Sequence, residues 1–323
     1  MTHDLAIVSL AMDLLQTIRS DIAQIPDGEH TTGLKSVLHH VEAAYRHLER
    51  GQKEGDDSAF NDAIYRTNQA FEGSVKEAYR VFTEQDPAGK TPAQIEKYLE
   101  QNSIFKDRVL SQLKDYRTNW RNPSTHDYNL FFDQDEAFLA IVSVSAFAKL
   151  LVRQIAEHIS YTESIAISQA IGDFEIPAAG DLSDKAQKII EEFFASPVNM
   201  PSAMVSEASL QGALSAYITT ALPNSQVDTE VALGSSRNRA DIVVTLESEK
   251  LIIELKRWRN DSAWIDSGAT QVMNYLQAGG INNGIVLFYE PSAKEYHIAG
   301  GYMSGEQHVM MLTPSNRFIP RDE

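Results

Sequence analysis

The chain contains no cysteine, which excludes disulfides and thiolate metal sites and leaves buried apolar surface as the main source of stability. It is also short of positive charge. Lys and Arg number 28 against 45 Asp and Glu, a formal net charge of −17 over 323 residues, so coating a polyanion with a broadly basic surface is excluded. Met1-Thr2-His3-Asp4 lacks the basic and apolar regions of a secretory signal, and no apolar run reaches the roughly 18 to 20 residues of a spanning helix. An intracellular, cytoplasmic protein without a membrane partner is therefore expected. A Gly-x-x-x-x-Gly-Lys-Ser/Thr phosphate loop is missing too, so any energy from nucleotide hydrolysis has to come from a partner.

What is there is a globular composition, 43% hydrophobic and 23% charged, with length enough for two domains. The first portion has helical periodicity. Leu34, Val37, Leu38, Val41, Ala44, Tyr45 and Leu48 form a stripe that follows a Thr31-Thr32 cap candidate and stops at Gly51. Val8, Met12, Leu15 and Ile22 precede it, and Phe60, Ile64, Phe71, Val75, Ala78 and Phe82 follow. A fourth helix opens at Thr91-Pro92, with an interruption near Asn102, and the last begins at about Asp133.

Residues 173–183, rich in Gly and Pro, read as a linker between a helical domain at 1–172 and a second domain at 184–323. Beyond the linker the order is helix (183–195), helix (205–222), strands (226–233, 240–246 and 251–255), helix (266–278) and a buried strand (284–289). Residues 296–299 and 309–312 are expected as edge strands. The fold class is α plus α/β.

The sharpest chemical signal is Arg239-Ala240-Asp241, followed by Leu251-Ile252-Ile253-Glu254-Leu255-Lys256. Strand alternation puts Glu254 and Lys256 on one face and Leu255 on the other. Asp241, Glu254 and the Leu255 carbonyl are hard oxygen ligands suited to Mg²⁺ or Mn²⁺, while Lys256 can orient or deprotonate an attacking water and counter developing phosphoryl charge. The alternative is a strand ion pair of modest energy. Three apolar residues before the motif disfavour that reading, since unpaired charge on a central strand is costly.

Asp241, Glu254 and Lys256 at this spacing resemble the PD-(D/E)xK nuclease superfamily over roughly residues 200–300, with Ala240 in the place of the name-giving proline. The resemblance implies a restriction-endonuclease-like core and metal-dependent phosphodiester hydrolysis. It adds Gln271 and Tyr275, either site contacts or helix packing, and Glu207, either a further metal acid or an acid favoured by a helix N-terminus. Lys256-Arg257-Trp258-Arg259 is the one dense basic cluster, joined by Arg237 and Arg239 near the first acid; it is either a local phosphate contact or a solvated loop, and Arg239 is alternatively a partner for Asp241.

In the helical portion, Trp120-Arg121-Asn122-Pro123-Ser124-Thr125-His126 places Pro123 where it should end the helix. Arg121 then sits on the last turn and His126 in the loop beyond, near enough to bind a phosphate together or to serve as a helix cap. With Asn122, this segment resembles the R-x4-6-H motif of the HEPN superfamily, which implies dimerisation through the helical domain and a second, metal-independent RNase site at Arg121, Asn122 and His126.

A HEPN-like bundle joined to a PD-(D/E)xK core looks like a bacterial antiviral or toxin-type effector. The expected enzyme is a Mg²⁺- or Mn²⁺-dependent endonuclease with DNA as substrate, RNA as the alternative, and an activating protein partner. The rival expectations are a metal-independent RNase toxin and a non-catalytic nucleic-acid-binding subunit.

Overall fold

The computed structural model describes residues 14–126, 129–171, 180–196, 206–234 and 238–317. The chain divides into two compact units, Met1–Ala156 and Glu157–Glu323. Most of the expected linker, 173–179, lies outside the described residues, and a helix already begins at Leu182.

The first unit is helical: α1 (14–23), α2 (Glu29–Glu54), α3 (Ser58–Thr83), α4 (Pro92–Gln101), α5 (Asp107–Tyr116), a π turn (Arg117–Arg121), α6 (Asn122–His126) and the first part of α7 (Gln134–Ile171). The expected start of α2 at Thr31-Thr32 is late. Thr31 is the third residue of the helix; its hydroxyl accepts the Gly28 N–H at 3.1 Å, and its own N–H donates to the Gly28 carbonyl at 3.0 Å. Gly51 does not stop the helix either, because Phe60 packs over it: a Cβ there would stand 2.5 Å from the ring. The stop is Gly55, in the left-handed region at φ 65°. Thr91 caps α4 as expected, with Gln94 in reciprocal contact.

Pro123 does not end its helix. The helical path runs on through α6, so His126 is helical rather than in a loop. A proline ring clashes with the carbonyl four residues back in a regular α-helix, and its nitrogen donates nothing. Just before it the turn is wider than an α turn, with the Asn122 N–H reaching the Arg117 carbonyl, so Pro123 follows a π turn rather than a regular α turn.

Helix α7 also departs from expectation. By length and composition it could cross a bilayer, with a mean hydropathy of 1.7 over its most apolar window, of which 56% is buried inside the protein. Its buried Ile141, Val144, Phe147, Leu151 and Ile155 account for much of that apolar character.

The second unit is a six-stranded mixed sheet with helices on both faces, ordered β1-β2-β3-β4-β6-β5. The strands are β1 (Ser225–Ala232), β2 (Arg239–Leu246), β3 (Glu249–Arg257), β4 (Asn283–Tyr289), β5 (Tyr296–Ser304) and β6 (Gln307–Pro314). Helices α8 (Leu182–Ala195) and α9 (Glu207–Ala221) cover one face, burying Phe193, Phe194, Leu214 and Ile218 against Ile242, Ile253 and Leu255. Helix α10 (Ser262–Gly279) covers the other, through Val272 and Leu276 against Ile252 and Val286.

β1 to β3 form an antiparallel meander, and α10 carries the chain across to β4, parallel to β3. The expected pair of edge strands is corrected in part. β6 is interior, parallel to β4 and antiparallel to β5, as its buried run Met311-Leu312-Thr313 requires of a strand with neighbours on both sides.

α9 approaches the second part of α7 closely enough that a Cβ on Gly212 would lie 2.1 Å from the Glu157 carbonyl oxygen. Backbone cannot yield as a side chain can. Gly212→Ala should lower the unfolding free energy by about 1 to 3 kcal/mol, visible as a lower urea midpoint by circular dichroism; an unchanged midpoint would contradict the close packing.

Candidate active site

β3 is buried from Leu251 to Leu255 and carries Glu254, itself 3% exposed, into the interior. The β2–β3 ladder runs from Leu246 opposite Glu249 to Ile242 opposite Ile253 and stops. The next pair in register would set Asp241 directly opposite Glu254, an unfavourable placement of like charges. On the other side, the β1–β2 ladder pairs Thr229 with Ile242 and Val231 with Ala240, and again skips Asp241. The residue opposite Asp241 in that register is Glu230, at a positive φ of 54°.

Both ladders thus leave Asp241 out, and its polar groups find other partners. The carboxylate oxygen Oδ2 accepts the Leu255 N–H at 2.7 Å, and the carbonyl accepts Nε2 of Gln211 at 2.6 Å. Since N–H and C=O of one strand residue point to the same side, the Leu255 carbonyl also faces Asp241. Gln211 is 1% exposed and lies one helical turn beyond Glu207 on α9, capped by Ser206 through the Ser209 N–H.

Glu254 is held at one oxygen. Oε1 accepts Lys256 Nζ at 2.9 Å and Gln271 Nε2 at 2.6 Å, and the same Gln271 nitrogen donates to the hydroxyl of Tyr275, one turn along α10. Oε2 is buried and makes no hydrogen bond. The Asp241 main chain and carboxyl stand close enough to Glu254 to favour its ionised form.

Burial pushes the Asp241 carboxyl well above the usual carboxylate range, and repulsion from Glu254 adds to it. The Leu255 N–H opposes the shift, while Glu207 and Glu230 are near enough to reinforce it. Burial raises Glu254 as well, with Lys256 offsetting part of the rise. The folded protein therefore holds these protons more tightly than the unfolded chain. Without a cation, this pair's contribution to stability falls as pH climbs from about 4 through the raised folded values, because the folded state then binds more protons than the unfolded one.

A divalent cation is the natural relief. Among the described residues no three His, Asp or Glu side chains group into a ready-made cage. Mg²⁺ usually keeps several waters and needs only one or two carboxylates, so Asp241, the unsatisfied Oε2 of Glu254 and the Leu255 carbonyl fit it in number and chemistry.

Asp241, Glu254, Leu255, Lys256, Gln271 and Tyr275 are thus brought together by contact, with Glu207 near enough to act on Asp241 electrostatically. Lys256 is in the strand ion pair that was the alternative reading, but within this cluster rather than on an open surface. Arg259 stacks on Trp264, 4.2 Å from its centroid, and Lys256 Nζ lies 5.9 Å from the same ring. The Trp264 indole donates to the Arg257 carbonyl at 3.1 Å. Arg239 donates to the Glu230 carbonyl at 2.8 Å, and Arg237 lies outside the described residues.

Gln211 and Glu230 were not singled out in the sequence. Gln211 had a readable signal, four residues after Glu207, whereas the position of Glu230 depends on strand register.

The Arg121 site is different in character. Arg121 donates to the Asn122 side chain at 3.2 Å and meets Glu72 at 3.5 Å, while its Nε is buried without a hydrogen bond. It lines a cavity of about 430 Å³ with Glu96, Glu100 and Arg117, and Arg117 is bound to both glutamates at 3.0 and 2.8 Å. A phosphate entering there would meet Lys97, Arg117 and Arg121 together with the two carboxylates. The side chain of His126 lies outside the described residues.

The chain matches no protein-family model, no curated protein and no solved structure.

Two outcomes follow from this geometry. Gln211→Ala leaves the Asp241 carbonyl without that donor and should cost about 1 to 3 kcal/mol, read by urea unfolding in EDTA. Asp241→Asn should raise the melting temperature in EDTA, by more at pH 8 than at pH 5. Mn²⁺ should stabilise only the wild type, by about 2.7 kcal/mol at a hundred times its dissociation constant. Equal responses of the two proteins to Mn²⁺ would rule Asp241 out as a ligand.

Proposed function

We propose that the second unit hydrolyses phosphodiester bonds in nucleic acid, DNA foremost, as a metal-dependent nuclease of the kind its PD-(D/E)xK resemblance implies. The observation that carries this reading is Asp241, left out of both neighbouring ladders and set beside the buried, half-satisfied carboxylate of Glu254. A stable fold has little reason to bury two carboxylates side by side unless a cation joins them.

Asp241, Glu254 and the Leu255 carbonyl would hold Mg²⁺ or Mn²⁺, which when bound lowers the pKa of a coordinated water and stabilises charge on the phosphoryl oxygens. The Leu255 N–H fixes the direction of the Asp241 carboxylate, and Gln211 fixes the backbone from which it projects. Gln271 anchors Glu254 Oε1, so that Oε2, which has no hydrogen-bond partner, would be the oxygen available to a cation. Lys256 Nζ donates to Glu254 and supplies a fixed positive charge that orients the attacking water and offsets charge building on the phosphate. Arg259, braced on Trp264, offers a local contact to a neighbouring phosphate on an otherwise acidic chain.

The joining of this unit to a helical one supports a restrained effector of bacterial antiviral defence, idle until a partner releases it. This role rests on analogy of domain types.

Cleavage of plasmid DNA, single-stranded DNA and RNA with Mg²⁺, Mn²⁺ or EDTA tests the reading. Metal-dependent cleavage should fall about 10²- to 10³-fold in Lys256→Ala and vanish in Asp241→Ala. RNA cleavage that survives EDTA and is lost in His126→Ala would instead place the chemistry in the helical unit.

A further inference from the structure

Beside the carboxylates, an open cleft of about 520 Å³ runs along α10, lined by Asn238, Ser267, Thr270, Gln271, Asn274 and Tyr275. Ser267, Thr270, Gln271 and Asn274 recur at helical spacing, so they share one face of α10. Asn238 stands at the entry to β2, three residues before Asp241. Every described lining side chain is uncharged and carries a carboxamide or a hydroxyl.

The chemistry of the lining selects the ligand. A phosphate is held best by cations and charge-assisted donors, and no described side chain lining the cleft is charged. Carboxamides paired with hydroxyls offer donors and acceptors side by side, the pattern that reads the edge of a nucleobase. Tyr275 is 7% exposed, so its ring is not a stacking platform and only its hydroxyl is placed to take part.

The cleft is also wired to the catalytic group. Gln271 Nε2 donates both to the Tyr275 hydroxyl and to Glu254 Oε1. A group seated on α10 therefore touches the chain of hydrogen bonds that orients Glu254. In a duplex the base edges lie within the grooves, where a protruding element can read them but a recessed cleft cannot, so a base seated in this cleft is one that has left the stack.

We infer that this cleft is a base-reading subsite, which seats an unpaired nucleobase next to the scissile phosphate and makes single-stranded nucleic acid the preferred substrate. The inference rests on the nuclease reading for its placement, yet it predicts binding that does not require cleavage. Asn274 and Thr270 are exposed and make the first contact with the base edge, while Gln271 reports its arrival to Glu254.

The test uses the full-length protein and fluorescent oligonucleotides: DNA and RNA homopolymers of each base, and a mixed-sequence duplex. Binding is measured by anisotropy in EDTA, and cleavage is measured separately with Mn²⁺. Single strands should bind more tightly than the duplex, with a preference among bases of roughly tenfold, the scale of one well-made base contact. Asn274→Ala and Thr270→Ala should each reduce that preference to within about twofold, without changing the melting temperature of the protein.

Base-selective binding that depends on Asn274, with no cleavage under any condition, would uphold the subsite and reject the nuclease reading. Cleavage that needs Asp241 but shows no base preference, or a preference unchanged in both variants, would overturn the subsite and leave the nuclease standing. Equal or tighter binding of the duplex would overturn it as well, and so would the absence of binding to every oligonucleotide. The DNA and RNA series decide which sugar the subsite accepts.

Discussion

Two carboxylates share one low-dielectric spot on the central strands of the second unit, and much of its local architecture accommodates that fact. Asp241 and Glu254 fall in register across β2 and β3, where ionised side chains repel and desolvation penalises each. The pairing gives way there: the β2–β3 ladder stops short of Asp241, and the β1–β2 ladder skips it before resuming at Ala240. The groups this frees are then met one by one, by the Leu255 N–H, by Gln211 and by the Lys256–Gln271 pair on Glu254. What stays unmet is a single buried oxygen, Oε2 of Glu254. Structure and chemistry coincide at that oxygen, because what is an unsatisfied acceptor in the fold is a ready ligand for a hard cation.

The helices frame this opening rather than merely covering the sheet. α9 sends Gln211 to the Asp241 carbonyl and is drawn close to the second part of α7 at Gly212, where only a missing side chain permits the approach. α10 sends Gln271 and Tyr275 from the opposite face. The site is therefore fixed on four secondary-structure elements, β2, β3, α9 and α10, each anchored by apolar packing, as the proposed catalytic role would require.

The helical unit was legible in outline and misleading in detail. Its apolar stripes gave the helices, because a 3.6-residue period survives in any helix with one buried face. Their ends were harder. Gly51 looked like a stop but is mid-helix under Phe60, and Pro123 looked like a break but follows a π turn that makes room for it. In both places a tertiary or local hydrogen-bonding arrangement overrode a residue's intrinsic preference. The Arg121 cavity shows the same limit from the chemical side, since Glu96, Lys97 and Glu100 come from another helix and set mixed charge beside the arginine, with both glutamates bound to Arg117.

By itself the sequence determined the order of elements in the second unit and the residue types that carry its chemistry: the apolar run into Glu254, the alternation that turns Lys256 to the same face, and the helical spacing of Gln271 and Tyr275. These are short-range properties, set by the periods of strand and helix. Only the tertiary structure decided that β6 lies inside the sheet, that Asp241 is left out of both ladders, that Glu230 stands beside it, and that the Asp241 carbonyl is what Gln211 meets. Those facts depend on the register and packing of segments distant in the chain, which no local pattern encodes.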